Sequence, residues 1–219
     1  MFSMEAFQKE YDTDKVDVVI KDRKFSFFVP KSIDRFIDHE NIFNKFPLWA
    51  KIWEPCLILT DYLASMPVNP EHSFLEIGSG LGLVGIFASS FGHKVTMTEY
   101  NHDALNFAKA SAHINDCSNL KIVELDWNKP ELKGTFDRII GCEVIYKEQS
   151  FYPILRLFRT YLKQDGEILL TERVRKSSIE FFRQMSKHFN IKAQKKTIRN
   201  DSDEIHVMIC RMTFKRTAL

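Results

Sequence analysis

Cysteine is scarce: Cys56, Cys117, Cys142 and Cys210 are scattered through 219 residues, and no two stand as CxxC. That spacing speaks against a zinc site or a disulfide framework, so reduced thiols in a cytoplasmic protein are expected. The seven histidines (His39, His72, His93, His102, His113, His188 and His206) contain no HxxxH or HxH pair, and no metal centre is expected. No apolar run approaches the roughly 18 residues of a membrane helix. The opening MFSMEAFQKE carries Glu5 and Glu10 without an uninterrupted apolar core, and does not read as a secretory signal. Blocks of one charge are missing too: 31 Lys and Arg against 29 Asp and Glu leave a net charge of +2, spread along the chain. Nothing in that pattern calls for nucleic acid. Repeats and low-complexity segments are absent.

What is present is ordinary globular material, 44% hydrophobic and 27% charged, long enough for one large α/β domain with a full core. The 19 phenylalanines are expected to fill most of that core. Val16 to Ile20 and Phe25 to Val29 flank a charged tetrad and read as a hairpin ended by Pro30. Cys56 to Leu63 has helical periodicity, with Pro55 suited to its first turn. From there strand and helix patterns alternate. Strands are expected at Ser73 to Ile77, Lys94 to Thr98, Lys121 to Leu125, Phe136 to Cys142 and Glu167 to Glu172, the last entered by an Asp165-Gly166 turn. Helices are expected at Leu83 to Phe91, Ala104 to Ile114, Ser150 to Leu162 and Ser177 to Phe189. Ile191 to Thr197 and Ile205 to Phe214, joined by polar residues 200–203, have no helix between them and should form an antiparallel hairpin at the sheet edge. The expected fold class is α/β, Rossmann-like and mostly parallel with helices on both faces. Residues 1–45 form an N-terminal extension to a domain over 46–219.

The chain is organised around Phe74 to Gly85, FLEIGSGLGLVG, a strand, a tight glycine turn and a helix start. Glycine tolerates positive φ and lets a ligand approach bare backbone, and the helix beyond offers unpaired N–H groups. Gly80 to Gly85 satisfies GxGxxG, with Glu99 near the spacing of a ribose-binding acid in a dinucleotide fold, so an NAD-dependent oxidoreductase is one reading. Glu76 to Gly82 also satisfies ExGxGxG, which resembles motif I of the seven-strand S-adenosylmethionine-dependent methyltransferases. A carboxylate at Glu76 suits a ligand bearing a sulfonium and an ammonium and would repel a pyrophosphate. Asp126-Trp127 after the third strand, and two strand-like runs at the C-terminus, are further features of the methyltransferase sheet.

Trp49 and Trp53 before an amphipathic helix, LEIGSGLGLVGI, the acid in MTEYN, LDW at 125–127 and GCEVIY at 141–146 together resemble the protein lysine methyltransferase branch, the methyltransferase-like 21 group and its relatives. The similarity runs from about Phe46 to Leu170. It implies a seven-strand methyltransferase sheet, S-adenosylmethionine as cofactor with S-adenosylhomocysteine as product, and methylation of a nitrogen, a lysine side chain of a protein. Gly78, Gly80 and Gly82 would lie along the methionine part of the cofactor and Glu76 near its ammonium. Glu99 would accept from the ribose hydroxyls, with Tyr100 against the adenosine; Asp126 would take the adenine amino group and Trp127 pack on the ring. Trp49 and Trp53 would wall the site, and Cys142 would contribute backbone. Glu143 and Tyr146, expected past the fourth strand of the main sheet, would hold the acceptor amine in line with the methyl group. The branch usually has Asp-x-x-Tyr where this chain has Glu143-Val144-Ile145-Tyr146, which lengthens the carboxylate's reach. A small-molecule amine acceptor, or a silent cofactor-binding regulatory subunit, are the alternative readings. A monomer without nucleic-acid or membrane partners is expected. Arg173-Val174-Arg175-Lys176 reads as a solvated loop.

Overall fold

The computed structural model describes residues 2–40, 46–117, 120–199 and 204–215. It opens with helix α1 (Met4–Glu10), capped by the Ser3 hydroxyl, which accepts from the Ala6 N–H at 3.2 Å. An antiparallel hairpin follows, β1 (Thr13–Ile20) against β2 (Arg23–Pro30), with Ile20 opposite Arg23. Helix α2 (Glu54–Ala64) carries Pro55 in its first turn, where the missing N–H is no loss. Then come β3 (Ser73–Ile77), α3 (Leu83–Ser90), β4 (Lys94–Glu99), α4 (His102–Ile114), β5 (Lys121–Glu124) and β6 (Phe136–Cys142). The chain continues through α5 (Phe151–Tyr161), β7 (Leu162–Arg173), α6 (Lys176–Met185), β8 (Phe189–Arg199) and β9 (Glu204–Phe214).

Seven of these strands make one sheet in the order β5-β4-β3-β6-β7-β9-β8. The pairings from β5 to β7 are parallel, and β9 is antiparallel to both β7 and β8. From β3 the chain winds outward through β4 and β5, then crosses back to β6 on the other side. The topological switch therefore lies between β3 and β6, whose C-terminal ends open a crevice. Strand alternation divides the core between the two faces: Leu75 and Ile139 join one cluster, while Phe74, Ile140 and Cys142 join the other, with α2 and α3. A third cluster packs Phe7, Tyr11 and Phe28 of the N-terminal elements against Phe107 and Ala110 of α4. Among the described residues no helix is long and apolar enough to cross a membrane.

Three expectations need correction. The Asp165-Gly166 turn is absorbed into β7: pairing jumps from Phe136 opposite Leu162 to Arg138 opposite Glu167, so the polar residues between form a bulge while the strand continues. Helix α6 stops at Met185, and Phe189 begins β8, buried against Phe158 and stacked on Phe214 at 5.1 Å. Four reduced thiols were expected, but Cys56 and Cys142 are disulfide-bonded, their Cα atoms 5.3 Å apart, and only Cys117 and Cys210 are free. Their partnership is invisible in spacing because the fold, not the sequence, brings the first turn of α2 to the end of β6. The polar turn expected at 200–203 lies outside the described residues.

Candidate active site

A cavity of about 440 Å³ opens at the switch between β3 and β6. Of the residues singled out in the sequence, Trp49, Trp53, Glu76, Gly78, Gly80 and Glu99 line it, as do Tyr100, Asp126, Trp127, Cys142, Glu143 and Tyr146. Gly82 stands behind the wall. Its φ of +90° starts α3, and a Cβ there would come within 2.9 Å of Met97 Cε. Gly78 has φ +63°, and a Cβ on it would lie 3.0 Å from Val144 Cγ1 and 3.3 Å from Trp127 Cζ2. The glycines are thus required by positive φ and by the protein's own side chains, a closer constraint than ligand approach alone.

Glu76 is 2% exposed, and burial together with the nearby Glu99 pushes its carboxyl up to about 8. Its Oε2 has no hydrogen-bond partner among the described residues, and neither has the buried Ser79 Oγ. Both residues line the cavity, but these two atoms are sealed from solvent, and Glu76 Oε2 faces Gly85 of α3, where a Cβ would collide with it. At the end of β4, Glu99 Oε2 accepts from the Gly80 N–H at 2.9 Å, and Oε1 accepts from Tyr100 N–H (2.7 Å) and Asn101 N–H (2.9 Å). With about four lone-pair sites on a carboxylate, about one is left, on Oε2. Asp126 Oδ1 accepts from the Asn128 N–H at 2.8 Å and side-chain amide at 3.0 Å, leaving Oδ2 open to a ligand. Tyr100, 65% exposed, sits at the rim.

Aromatic side chains form the opposite wall. Trp49 belongs to a 3₁₀ turn, Leu48–Ala50, and packs its ring on Phe36 (4.9 Å) and Phe107 (5.4 Å). Trp53 donates its indole N–H to the Leu48 carbonyl at 2.8 Å and carries the Arg173 guanidinium 5.3 Å over its ring. Arg173 is also ion-paired with Glu54.

Beyond β6 the chain turns at Glu143, in the left-handed region at φ +49°. This strained turn is held from β7 and the start of α6: Glu143 N–H donates to the Thr171 carbonyl at 2.9 Å, and Val144 N–H to Glu172 Oε1 at 2.8 Å. Arg175 spans the cluster, its Nη1 2.9 Å from Glu143 Oε2 and its Nη2 3.1 Å from Glu172 Oε2. The other Glu143 oxygen accepts the Arg173 backbone N–H. The same guanidinium lies 4.7 Å over the Tyr146 ring. Burial, then the charge of Glu143, raises the Glu172 carboxyl, and burial with both carboxylates raises the Tyr146 phenol, which stays protonated. The sequence reading missed Glu172, Arg175 and Cys56. The available signal was position: Arg175 stands two residues past β7, whose end adjoins that of β6.

The fold has counterparts among solved structures. The precorrin-6y C5,15-methyltransferase of Geobacter metallireducens superposes with a TM-score of 0.62 at 14% identity, covering 86% of this chain and 94% of that one. Pyrococcus horikoshii TYW2, solved in complex with MeSAdo, gives 0.58 at 15% identity over 92% and 72%. Fold and family match together define a class I S-adenosylmethionine-dependent methyltransferase. The lysine methyltransferase family model matches residues 44–188. Protein N-lysine methyltransferase METTL21A of Xenopus tropicalis is 30% identical over 168 residues, 74% of this chain and 78% of that protein. EEF1A lysine methyltransferase 3 of Mus musculus is 26% identical over 187 residues, 82% and 78% respectively. The chain belongs to the lysine methyltransferase family.

Proposed function

We propose that this protein transfers a methyl group from S-adenosylmethionine to the side-chain nitrogen of a lysine in a protein substrate. The observation that carries this is the single cavity in which Glu76, Glu99 and Asp126 meet Glu143 and Tyr146. Glu76 and Ser79 line the cavity on the side of the glycine loop, where the cofactor's ammonium end would lie. Glu99 Oε2 has room for one ribose hydroxyl, and Asp126 Oδ2 with Trp127 suits adenine. When bound, the cofactor supplies an activated sulfonium methyl, so alignment of the attacking nitrogen can provide much of the rate.

Tyr146 and the Glu143 cluster do that aligning. Two buried carboxylates share one guanidinium, and burial with the charge of Glu143 raises the Glu172 carboxyl, so the cluster carries no surplus negative charge while Glu172 is protonated. An incoming ammonium meets the Tyr146 ring, which lines the cavity. Glu143 has both oxygens engaged, so it fixes the turn that carries Tyr146 into the cavity, and the ammonium's proton leaves to water. Aromatic packing of Phe7, Tyr11 and Phe28 on α4 supports reading residues 1–45 as a buttress to the domain over 46–219.

Incubation with methyl-labelled S-adenosylmethionine and a cell lysate, followed by mass spectrometry, tests the proposal. Label on a lysine of a polypeptide is expected. Label confined to small amines would transfer the reading to a small-molecule acceptor, and binding without label would leave a silent regulatory subunit.

A further inference from the structure

The disulfide places a second chemistry in the cavity wall. Cys56 and Cys142 both line the cavity, and Cys142 is 8% exposed. Their bond joins the first turn of α2, three residues after Trp53, to the end of β6, one residue before Glu143. It therefore ties the aromatic wall to the acceptor turn, and the cavity remains open with the bond in place. We propose that Cys56 and Cys142 form a reversible dithiol–disulfide site, reacting with small thiols and small disulfides, that sets how tightly the cavity holds its cofactor. The coupling rests on the cofactor assignment above.

Reduction proceeds by thiol exchange. A small thiolate attacks one sulfur of the pair, the S–S bond breaks, and a mixed disulfide forms while the other cysteine leaves as thiolate. A second small thiolate then displaces the remaining cysteine. Two small thiols are oxidised to one small disulfide, two electrons pass to the protein, and the protons end on Cys56 and Cys142. Oxidation is the reverse, with a small disulfide as electron acceptor. Geometry makes the reaction selective: Cys210 is buried in β9, where burial pushes its thiol up to about 12, and burial also raises that of the half-buried Cys117. Since both bonded cysteines face the cavity, a bound cofactor covers the route by which a small thiol reaches them.

A staple across the wall removes ordering that binding would otherwise have to impose, so the oxidised form should bind more tightly. Calorimetry with S-adenosylhomocysteine on air-oxidised and dithiothreitol-treated protein compares the two states without a variant. The affinity of the oxidised form should be about tenfold higher, and saturating S-adenosylhomocysteine should slow reduction. The double variant C56S/C142S should give the reduced-form affinity under both conditions. Denatured oxidised protein should show two reactive thiols, Cys117 and Cys210. Equal affinities in the two states overturn the proposal, as do four reactive thiols in the oxidised sample. Absence of binding in both states removes the cofactor assignment itself, and the coupling with it.

Discussion

Glu76 is a carboxyl that the free protein holds protonated at neutral pH. Its value of about 8, set by burial and by Glu99, lies far above that of a solvated carboxylate. A ligand ammonium beside it favours the ionised form, so cofactor binding should expel a proton. The apparent affinity for S-adenosylhomocysteine should accordingly rise with pH up to about 8 and level off above. Titration calorimetry in buffers of different ionisation enthalpy measures this directly: the wild-type protein should release close to one proton at pH 7, and E76Q none, with binding weaker by about 1–3 kcal/mol. Proton release that survives in E76Q would reassign the linkage. Arg175 makes a second prediction at this scale. R175K keeps the charge but loses the fork that holds Glu143 and Glu172 together. Methyl transfer should fall about tenfold or more, equivalent to about 1.4 kcal/mol, while S-adenosylhomocysteine affinity stays unchanged. An unchanged transfer rate would show that Arg175 does not position Glu143 and Tyr146 for the reaction. Residues of this kind were the least legible in the sequence, because an Arg-Val-Arg-Lys run reads as solvated, and in the fold Val174 and Lys176 are exposed while Arg173 and Arg175 turn inward.

At the scale of elements, α4 couples the N-terminal extension to the cavity. Phe107 lies 5.1 Å from Phe7, 5.0 Å from Tyr11 and 5.4 Å from Trp49, ring centre to ring centre. F107A removes the hub of that cluster and should cost about 3–5 kcal/mol, measured by denaturant unfolding. If the extension is a buttress, cofactor binding weakens as well, since Trp49 loses its support; full stability in F107A would show that the cluster collapses without loss. Elements themselves were largely legible: short apolar runs gave β3, β4 and β6 to within a residue, and proline and glycine marked the starts of α2 and α3. The failures have a physical pattern. Phe189 looks helical in an apolar series, yet tertiary packing on Phe158 and Phe214 draws it into β8. Asp165-Gly166 has turn chemistry, yet parallel pairing with β6 carries β7 past it.

Across the whole molecule, the strand order β5-β4-β3-β6-β7-β9-β8 brings together chain ends that lie far apart in sequence. Motif I, the β4 acid and LDW are local signals, each read from a few residues, and the fold places them around one cavity as expected. The disulfide and the Glu143–Arg175–Glu172 cluster are contacts between elements separated by tens of residues, so no local pattern announces them. We propose that this cavity is an S-adenosylmethionine site whose ribose acid is Glu99. Calorimetric titration of wild-type protein and E99A with S-adenosylhomocysteine and with NAD tests it most directly. S-adenosylhomocysteine should bind, NAD should not, and E99A should weaken binding by about 1–3 kcal/mol. Binding of NAD alone, or an E99A affinity equal to that of wild type, would contradict it.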